Sequence, residues 1–508
     1  MLPDTIDARV EVRVEVRVEV RVDGHRQKPM SARLPLLQIG PATSLDAPFA
    51  WRHGLAISRA QFLDDVAILA SALPDRGYVL NVCADRYRFS VGLAAAIVRN
   101  QVSLMPPSTH AQTVRQLIAQ FPDVYCLAEA PQPDIDLPQV LYEATLASHA
   151  SHEFAREMPL VPVGQTIACV FTSGSTGVPT PHRKRWGSLV ENVCSEAERL
   201  GIDDASSPLA IVATVPPQHM FGFESSVLLA WQSAAAMVAE RPFFPADIVA
   251  ALERIPGRRM LVTTPFHLRT LLAENLALPT VELVLCATAP LSQALAREAE
   301  QRFNAPVSEI YGCTETGQIA SRRPTVDLRW HLLGDVTLDV EGSSAVASHG
   351  HVDQPTSLAD VIELAPDFAN SRRFMLVGRS ADMVNIAGKR TSLGYLDVQL
   401  NAIDGVIDGA FFMPDEDESA HEGVTRLAAV VVAPALDARN LLAALRTRID
   451  AVFLPRPIYF VDHLPRNDTG KLTRAMFESL VMKQSAAAIP SRNAGAIPTI
   501  LDEPAARR

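Results

Sequence analysis

Residues 171–184 read FTSGSTGVPTPHRK, a run of small hydroxylated residues and glycines directly after the apolar stretch TIACVF. Gly174 and Gly177 allow positive φ and a close backbone approach to a ligand. Free N–H groups in such a turn form an anion-binding concavity. The hydroxyls of Thr172, Ser173, Ser175 and Thr176 add neutral donors, and the set suits a polyphosphate. It is not a Walker loop, because G-x-x-x-x-G-K-[ST] cannot be laid on these residues. Further stretches follow downstream. YGCTE (311–315) comes after the strand-like run PVSEI. The face of Tyr311 can stack on a base, Thr314 can donate to a phosphate oxygen, and Glu315 can ligand Mg²⁺, a hard ion that prefers oxygen. LADVIE (358–363) places Asp360 where a carboxylate can take both hydroxyls of a ribose. GRSADMVNIAGKR (378–390) and PRNDTGKLTR (465–474) complete the series.

The elements that must position these residues alternate along the chain. YVLNVCA reads as a buried strand, RFSVGLAAAIVRN as a helix, and QVSLMPP as strand again. The beat recurs: LAIVATV and a helix from Phe223, RRMLVTT and a helix from Pro265, VELVLCA and a helix from Ser292, then PVSEIYG. Such alternation predicts parallel sheets covered on both faces. Ligands of these sheets sit outside the carboxyl ends of the strands, where the candidate residues fall.

With 508 residues the chain exceeds one core, so two or more domains are expected. Its net charge of −11 argues against a nucleic-acid surface as its main function. The six cysteines form no C-x-x-C pair, which argues against zinc and for a reducing cytoplasm. No apolar run is long enough to span a bilayer. Residues 9–22 alternate valine with Arg and Glu, a period-two pattern that fits either an edge strand or low-complexity sequence upstream of Met30. The second reading is preferred. From about Ser485 the composition is that of a loose tail.

The motifs and their order resemble the adenylate-forming superfamily of acyl- and aryl-CoA synthetases, peptide-synthetase adenylation domains and luciferases, from roughly Leu55 to Leu480. FTSGSTGVPT resembles its phosphate loop. CATAPLS, with Ala287, Thr288 and Ala289, and YGCTETG, with Tyr311 and Gly312, resemble its adenine-binding segments. ADVIE resembles the segment bearing the ribose-binding aspartate. GRSADMVNIAGKR, with Arg379 and Arg390, resembles the hinge and the start of the small domain, and NDTGK resembles the loop of the catalytic lysine, here Lys471. The resemblance implies an α/β fold: a large N-terminal domain of doubly wound mixed sheets with a small β-barrel subdomain over 30–379, and a small mobile α+β domain over 380–485. Residues 1–29 are then an extension and 486–508 a disordered tail. It also implies two half-reactions. A carboxylate attacks the α-phosphorus of ATP and releases pyrophosphate, with Mg²⁺ as cofactor. The thiol of CoA, or of the phosphopantetheine arm of a separate acyl carrier protein, then displaces AMP. Lys471, a compact point charge, suits the bridge between substrate carboxylate and α-phosphate.

The acyl pocket falls to His219, which resembles a gate, with Met220, Phe221, Phe223 and Ile310. Where the family's phosphate loop carries a lysine, Thr180 stands. Either Lys184 reaches the pyrophosphate from one helical turn away, or the loop works less well. Ala381, Tyr395 and Asp397 replace charged residues common at the hinge and the following helix. No acidic residue stands where amino-acid-activating members hold an ammonium, which favours an aromatic or medium-chain acid. A non-catalytic adenylate-binding homologue and a stand-alone amino-acid adenylation enzyme are the alternatives.

Overall fold

The computed structural model describes residues 20–22, 25–27, 32–38, 43–143, 158–173, 179–202, 209–379, 383–386, 389–413 and 427–465. Two large sheets dominate. The first runs, in spatial order, Pro179–Arg185, Thr166–Ser173, Val102–Met105, Tyr78–Asn81, Val124–Ala128 and Gln139–Leu141. Its inner strands pair in parallel, joined by the helices Arg86–Val98 and Ala111–Gln120. The second sheet has eleven strands and is mixed. Its parallel centre comprises Pro48–Arg52, Ala236–Val238, Ala210–Ala213, Arg259–Thr263, Leu283–Cys286 and Val307–Cys313. Past Val307–Cys313 the sheet turns antiparallel through Gly317–Arg322, Trp330–Leu332, Arg373–Arg379 and Asp360–Leu364.

The local causes are those of parallel sheets. Strands such as Ala210–Ala213 and Leu283–Cys286 are buried at every position, as two covered faces require. The helices begin where the sequence offers caps: Asp85 accepts from Arg88 N, Thr264 from His267 N with Pro265 next, and Ser292 from Leu295 N. One core lies between the two large sheets, with Trp186, Trp231, Phe49 and Phe62 almost wholly buried. A three-stranded sheet of Thr337–Glu341, Ser344–Ser348 and Thr356–Leu358 joins the antiparallel end of the large sheet around Ile319, Trp330 and Phe374, at the place of the expected barrel.

A separate apolar cluster is built from Leu396, Leu400, Phe411, Val431, Leu441 and Leu445, with the three-stranded sheet Asp408–Phe412, Ala428–Val432, Ile458–Phe460 and the helices Leu393–Asn401 and Ala438–Arg446. Arg269 on the helix Pro265–Ala273 reaches Asp408 at its edge, 3.5 Å away.

Two expectations change. The basic residues after the glycine-rich stretch continue no helix: Pro179–Arg185 is a strand, antiparallel to Thr166–Ser173. The helix expected from Phe223 starts at Met220 and passes through a π-helical turn, Phe223–Leu228, before Leu229–Trp231. Of the valine repeat, Val20–Val22 pairs with His25–Gln27; its earlier part lies outside the described residues, as does everything from 466 onward.

Candidate active site

A cleft of about 2680 Å³ opens at the carboxyl ends of the parallel strands and extends to the cluster around Leu396. Thr172, His219, Met220, Phe221, Ala287, Thr288, Ala289, Ile310, Tyr311, Gly312, Thr314, Glu315 and Asp360 all line it. Residues expected on five separate stretches of sequence are thus brought to one cleft. Phe223 is not among the lining residues; it is fully buried in the core. Gly174, Ser175, Thr176, Gly177 and Lys471 lie outside the described residues. Ser173, Arg379 and Arg390 are placed by strand position alone.

The Val307–Cys313 and Gly317–Arg322 hairpin presents Tyr311, Thr314 and Glu315, the last two in its turn. A bulge between Tyr311 and Gly312 re-aims the strand. Gly312 has to be glycine, because a Cβ there would overlap the Gly317 carbonyl. The Tyr311 hydroxyl donates to Asp360 Oδ2 at 2.7 Å, so the expected base-stacking and ribose-binding residues touch each other. The ring is braced by Trp330 and Phe374, at centroid distances of 5.5 and 6.1 Å. Asp360 stands opposite Arg379 in the strand register, which unites the ribose candidates. Thr288, directly beyond a buried strand, is held at φ +81, a strained value for a β-branched residue.

Sequence reasoning missed four residues here. His182 is the first. In the hairpin register Thr172 faces Thr180, and His182 and Lys184 follow on the same side by strand alternation. Thr172 Oγ1 and His182 Nε2 share a hydrogen bond of 2.9 Å, and Glu315 Oε1 lies 3.6 Å from the same nitrogen. Burial pulls the imidazole below its ordinary pKa, while the Glu315 carboxylate pushes it up. Lys184, expected at the pyrophosphate, is buried and donates to the Glu315 carbonyl at 3.1 Å. Arg185 faces Asp353 at 3.6 Å.

Glu309 is the second. It accepts from Leu291 N at 2.9 Å and from Arg322 at 2.7 Å, tying the segment after Ala289 to the strand of Tyr311. Burial raises its carboxyl and Arg322 lowers it. Glu224 and Gln318 are the third and fourth; both are almost wholly buried and both line the cleft. Asn192 Nδ2 donates to Glu224 Oε1 at 2.7 Å, and Gln318 Nε2 donates to Glu196 Oε2 and Ser225 Oγ, each at 3.1 Å. Burial raises Glu224 and lowers Lys184, each moderated by the other's charge. Alternation within PVSEI and the G-Q pair after YGCTET were the available signals; both read equally well as ordinary strand.

A hard cation fits this wall. The half-exposed Glu315 carboxylate and the Thr314 and Thr172 hydroxyls are oxygen donors. Among the described residues no group of three or more His, Cys, Asp or Glu forms a metal cage. One carboxylate plus substrate phosphates is the usual Mg²⁺ arrangement. No helix among the described residues is long and apolar enough to cross a membrane.

Known proteins resemble the chain in sequence and in fold. The chain is 31% identical over 314 residues to a 4-coumarate–CoA ligase of Halorhodospira halophila, covering 59% of this chain and 73% of that protein. It is 26% identical over 385 residues to an indoleacetate–CoA ligase of Aromatoleum aromaticum, covering 68% and 73%. The fold matches an o-succinylbenzoate coenzyme A synthetase of Bacillus subtilis solved with ATP and magnesium ion, with TM-score 0.72 at 16% identity over 85% of this chain and 97% of that one. The sequence model of the family described as AMP-binding enzyme spans residues 64–346, more than half of the chain, which therefore belongs to the AMP-binding enzyme family.

Proposed function

We propose that this enzyme is an AMP-forming acid–thiol ligase that activates an aromatic or medium-chain carboxylic acid and passes the acyl group to CoA or to a separate acyl carrier protein. The observation that supports this best is the convergence on one cleft wall of Thr172, the Thr314–Glu315 turn and the hydrogen-bonded Tyr311–Asp360 pair, beside the His219–Phe221 loop. The relatives' aryl-acid names support the aromatic class. In the first half-reaction an acid oxygen bonds to the α-phosphorus of ATP, the bond to the β-phosphate oxygen breaks, and pyrophosphate leaves. Two anions must meet, so the site neutralises charge and aligns attack. Tyr311 and Asp360 hold base and ribose. Thr172 and Thr314 donate to phosphate oxygens. Mg²⁺, held by Glu315, supplies charge neutralisation at the phosphates when bound. Lys471 is assigned the bridge between acid and α-phosphate. In the second half-reaction a thiol sulfur attacks the acyl carbon and AMP departs.

On this reading residues 30–379 form the large domain and 380–485 the small one that carries Lys471. ATP–pyrophosphate exchange over a panel of aryl, fatty and amino acids tests the proposal. Exchange with an aryl or medium-chain acid is expected; exchange with amino acids alone, or with none, overturns it.

A further inference from the structure

The loop 216–221 lines the cleft at every residue, and one buried cation holds it from beneath. That cation is Arg86, which opens the helix Arg86–Val98 and is wholly buried. A guanidinium has five N–H donors. Nη1 donates to the carbonyls of Val238 and Glu240, at 3.0 and 3.4 Å, and Nη2 to those of Ala213 and Val215, at 3.2 and 2.7 Å. Nε donates to Ser226 Oγ at 2.9 Å. The group thus lies across the carboxyl ends of two neighbouring parallel strands, Ala210–Ala213 and Ala236–Val238. All its acceptors are neutral, and burial lowers its pKa to about 10, so it stays charged at neutral pH. A buried charge is costly unless it is hydrogen-bonded, and these bonds are what hold it.

Two of these bonds fall at the two ends of the loop. The Val215 carbonyl stands just before it. Ser226, in the π-helical turn Phe223–Leu228, passes its own proton to the Gly222 carbonyl just after it. The ends also touch, for a Cβ on Gly222 would stand 2.0 Å from the Pro216 carbonyl oxygen. Midway, Gln218 Nε2 donates to the Cys83 carbonyl at 2.8 Å, on the approach to Arg86. We propose that Arg86 is a positioning residue of the acid pocket: its guanidinium sets the loop 216–221 in the shape that receives the carboxylic acid, and so governs the use of the acid without touching it. The proposal rests on the acid-activating reading above, in which His219, Met220 and Phe221 border the acyl group. With every donor spent on the fold, Arg86 has none to offer a ligand. The nucleotide candidates Thr172, Tyr311, Thr314 and Asp360 stand on other elements, so ATP binding should not depend on it.

The test compares the full-length enzyme with Ser226→Ala, Arg86→Lys and a buried control, Tyr125→Phe. Ser226→Ala cuts the link to Gly222 and leaves the guanidinium in place. Arg86→Lys keeps the charge but brings three donors to five acceptors. Tyr125→Phe removes a buried hydrogen bond to Gln101 in the first sheet. Pyrophosphate exchange is measured with the best exchanged of benzoate, phenylacetate, cinnamate and octanoate, and ATP affinity by calorimetry without acid. Rates are scaled to the ATP sites counted in the calorimetry, so a reduced folded fraction does not disturb them. A small misplacement far from the chemistry can cost on the order of 100-fold, so kcat/KM for the acid should fall about tenfold or more in Ser226→Ala, and further in Arg86→Lys, with the Kd for ATP within about twofold of wild type. Tyr125→Phe should lower the melting temperature and leave both constants unchanged. Equal losses for acid and ATP, an unchanged acid kcat/KM in Ser226→Ala, or a matching loss in Tyr125→Phe overturns this proposal alone. Ser226→Ala decides by itself should Arg86→Lys fail to fold. Absence of exchange with every acid overturns the acid-activating reading, and this proposal with it.

Discussion

Glu315 illustrates how one side chain is given its task by its surroundings. Its main-chain carbonyl is held by Lys184, and its exposed carboxylate faces His182 in the cleft. Glu315→Gln should raise the Mg²⁺ concentration needed for half-maximal exchange by about tenfold or more, as loss of a metal's carboxylate support does elsewhere. Titrating metal into the nucleotide complex by calorimetry checks this independently of turnover; an unchanged affinity would make Glu315 a structural acid. Glu196 shows the opposite case, a carboxyl with no exposed surface. Burial raises its pKa from 4.5 to about 7. The folded state therefore holds this proton more tightly than the unfolded chain. The resulting stability is complete below pH 4.5 and is lost as pH rises through about 7. Glu196→Gln should flatten the fall in melting temperature across that window and stabilise the protein at pH 8 by up to about 3 kcal/mol. Thermal melts from pH 4.5 to 8 decide it, and parallel curves for the two proteins would refute the assignment.

Among elements, the hairpin Thr166–Ser173/Pro179–Arg185 matters most. Strand alternation sends Thr180, His182 and Lys184 to one side and Arg183 and Arg185 to the other. Of the three consecutive basic residues, Arg183 and Arg185 therefore leave the side of Thr172, and Lys184, on that side, is spent inside the protein. Removing one partner of a buried ion pair costs about 3–5 kcal/mol, whereas removing both is close to neutral. Lys184 and Glu224 feel each other's charge in the buried interior without a direct ion pair, so Lys184→Met alone should destabilise the protein by only part of that amount, and Lys184→Met with Glu224→Leu should lose less than the two single variants together. Denaturant melts of the two single variants and the double variant measure the coupling; additive losses would mean that the two groups do not act as a pair.

At the scale of the molecule, the cluster around Leu396 meets the large sheets through Arg269 and Asp408. Asp408 is buried and Arg269 partly exposed, and a single pair of this kind is worth on the order of 1 kcal/mol, enough to bias an arrangement and too little to fix it. Rotation of a small domain between half-reactions would have to break it. Arg269→Ala should loosen the arrangement seen here, increasing the radius of gyration of the nucleotide-free enzyme in small-angle X-ray scattering while leaving the melting temperature within a degree or two. An unchanged scattering profile would show that the pair does not restrain the two parts.

The sequence alone determined the alternation of strands and helices, the placing of candidate residues after strands, and membership of the family. Each of these depends on local information: apolar runs, caps such as Ser292 before Gln293, and short motifs in a fixed order. The helix once expected to carry Lys184 failed because a polar, basic run has no period that separates strand from helix until its neighbour is known. Pairing with Thr166–Ser173 settled that. Likewise Glu224 reads as one acid in an apolar run. Only the approach of Asn192, Gln318 and Lys184 from distant segments makes it a buried polar corner of the cleft. Hydrogen bonds and desolvation depend on what lies across the fold, and that is decided by tertiary packing.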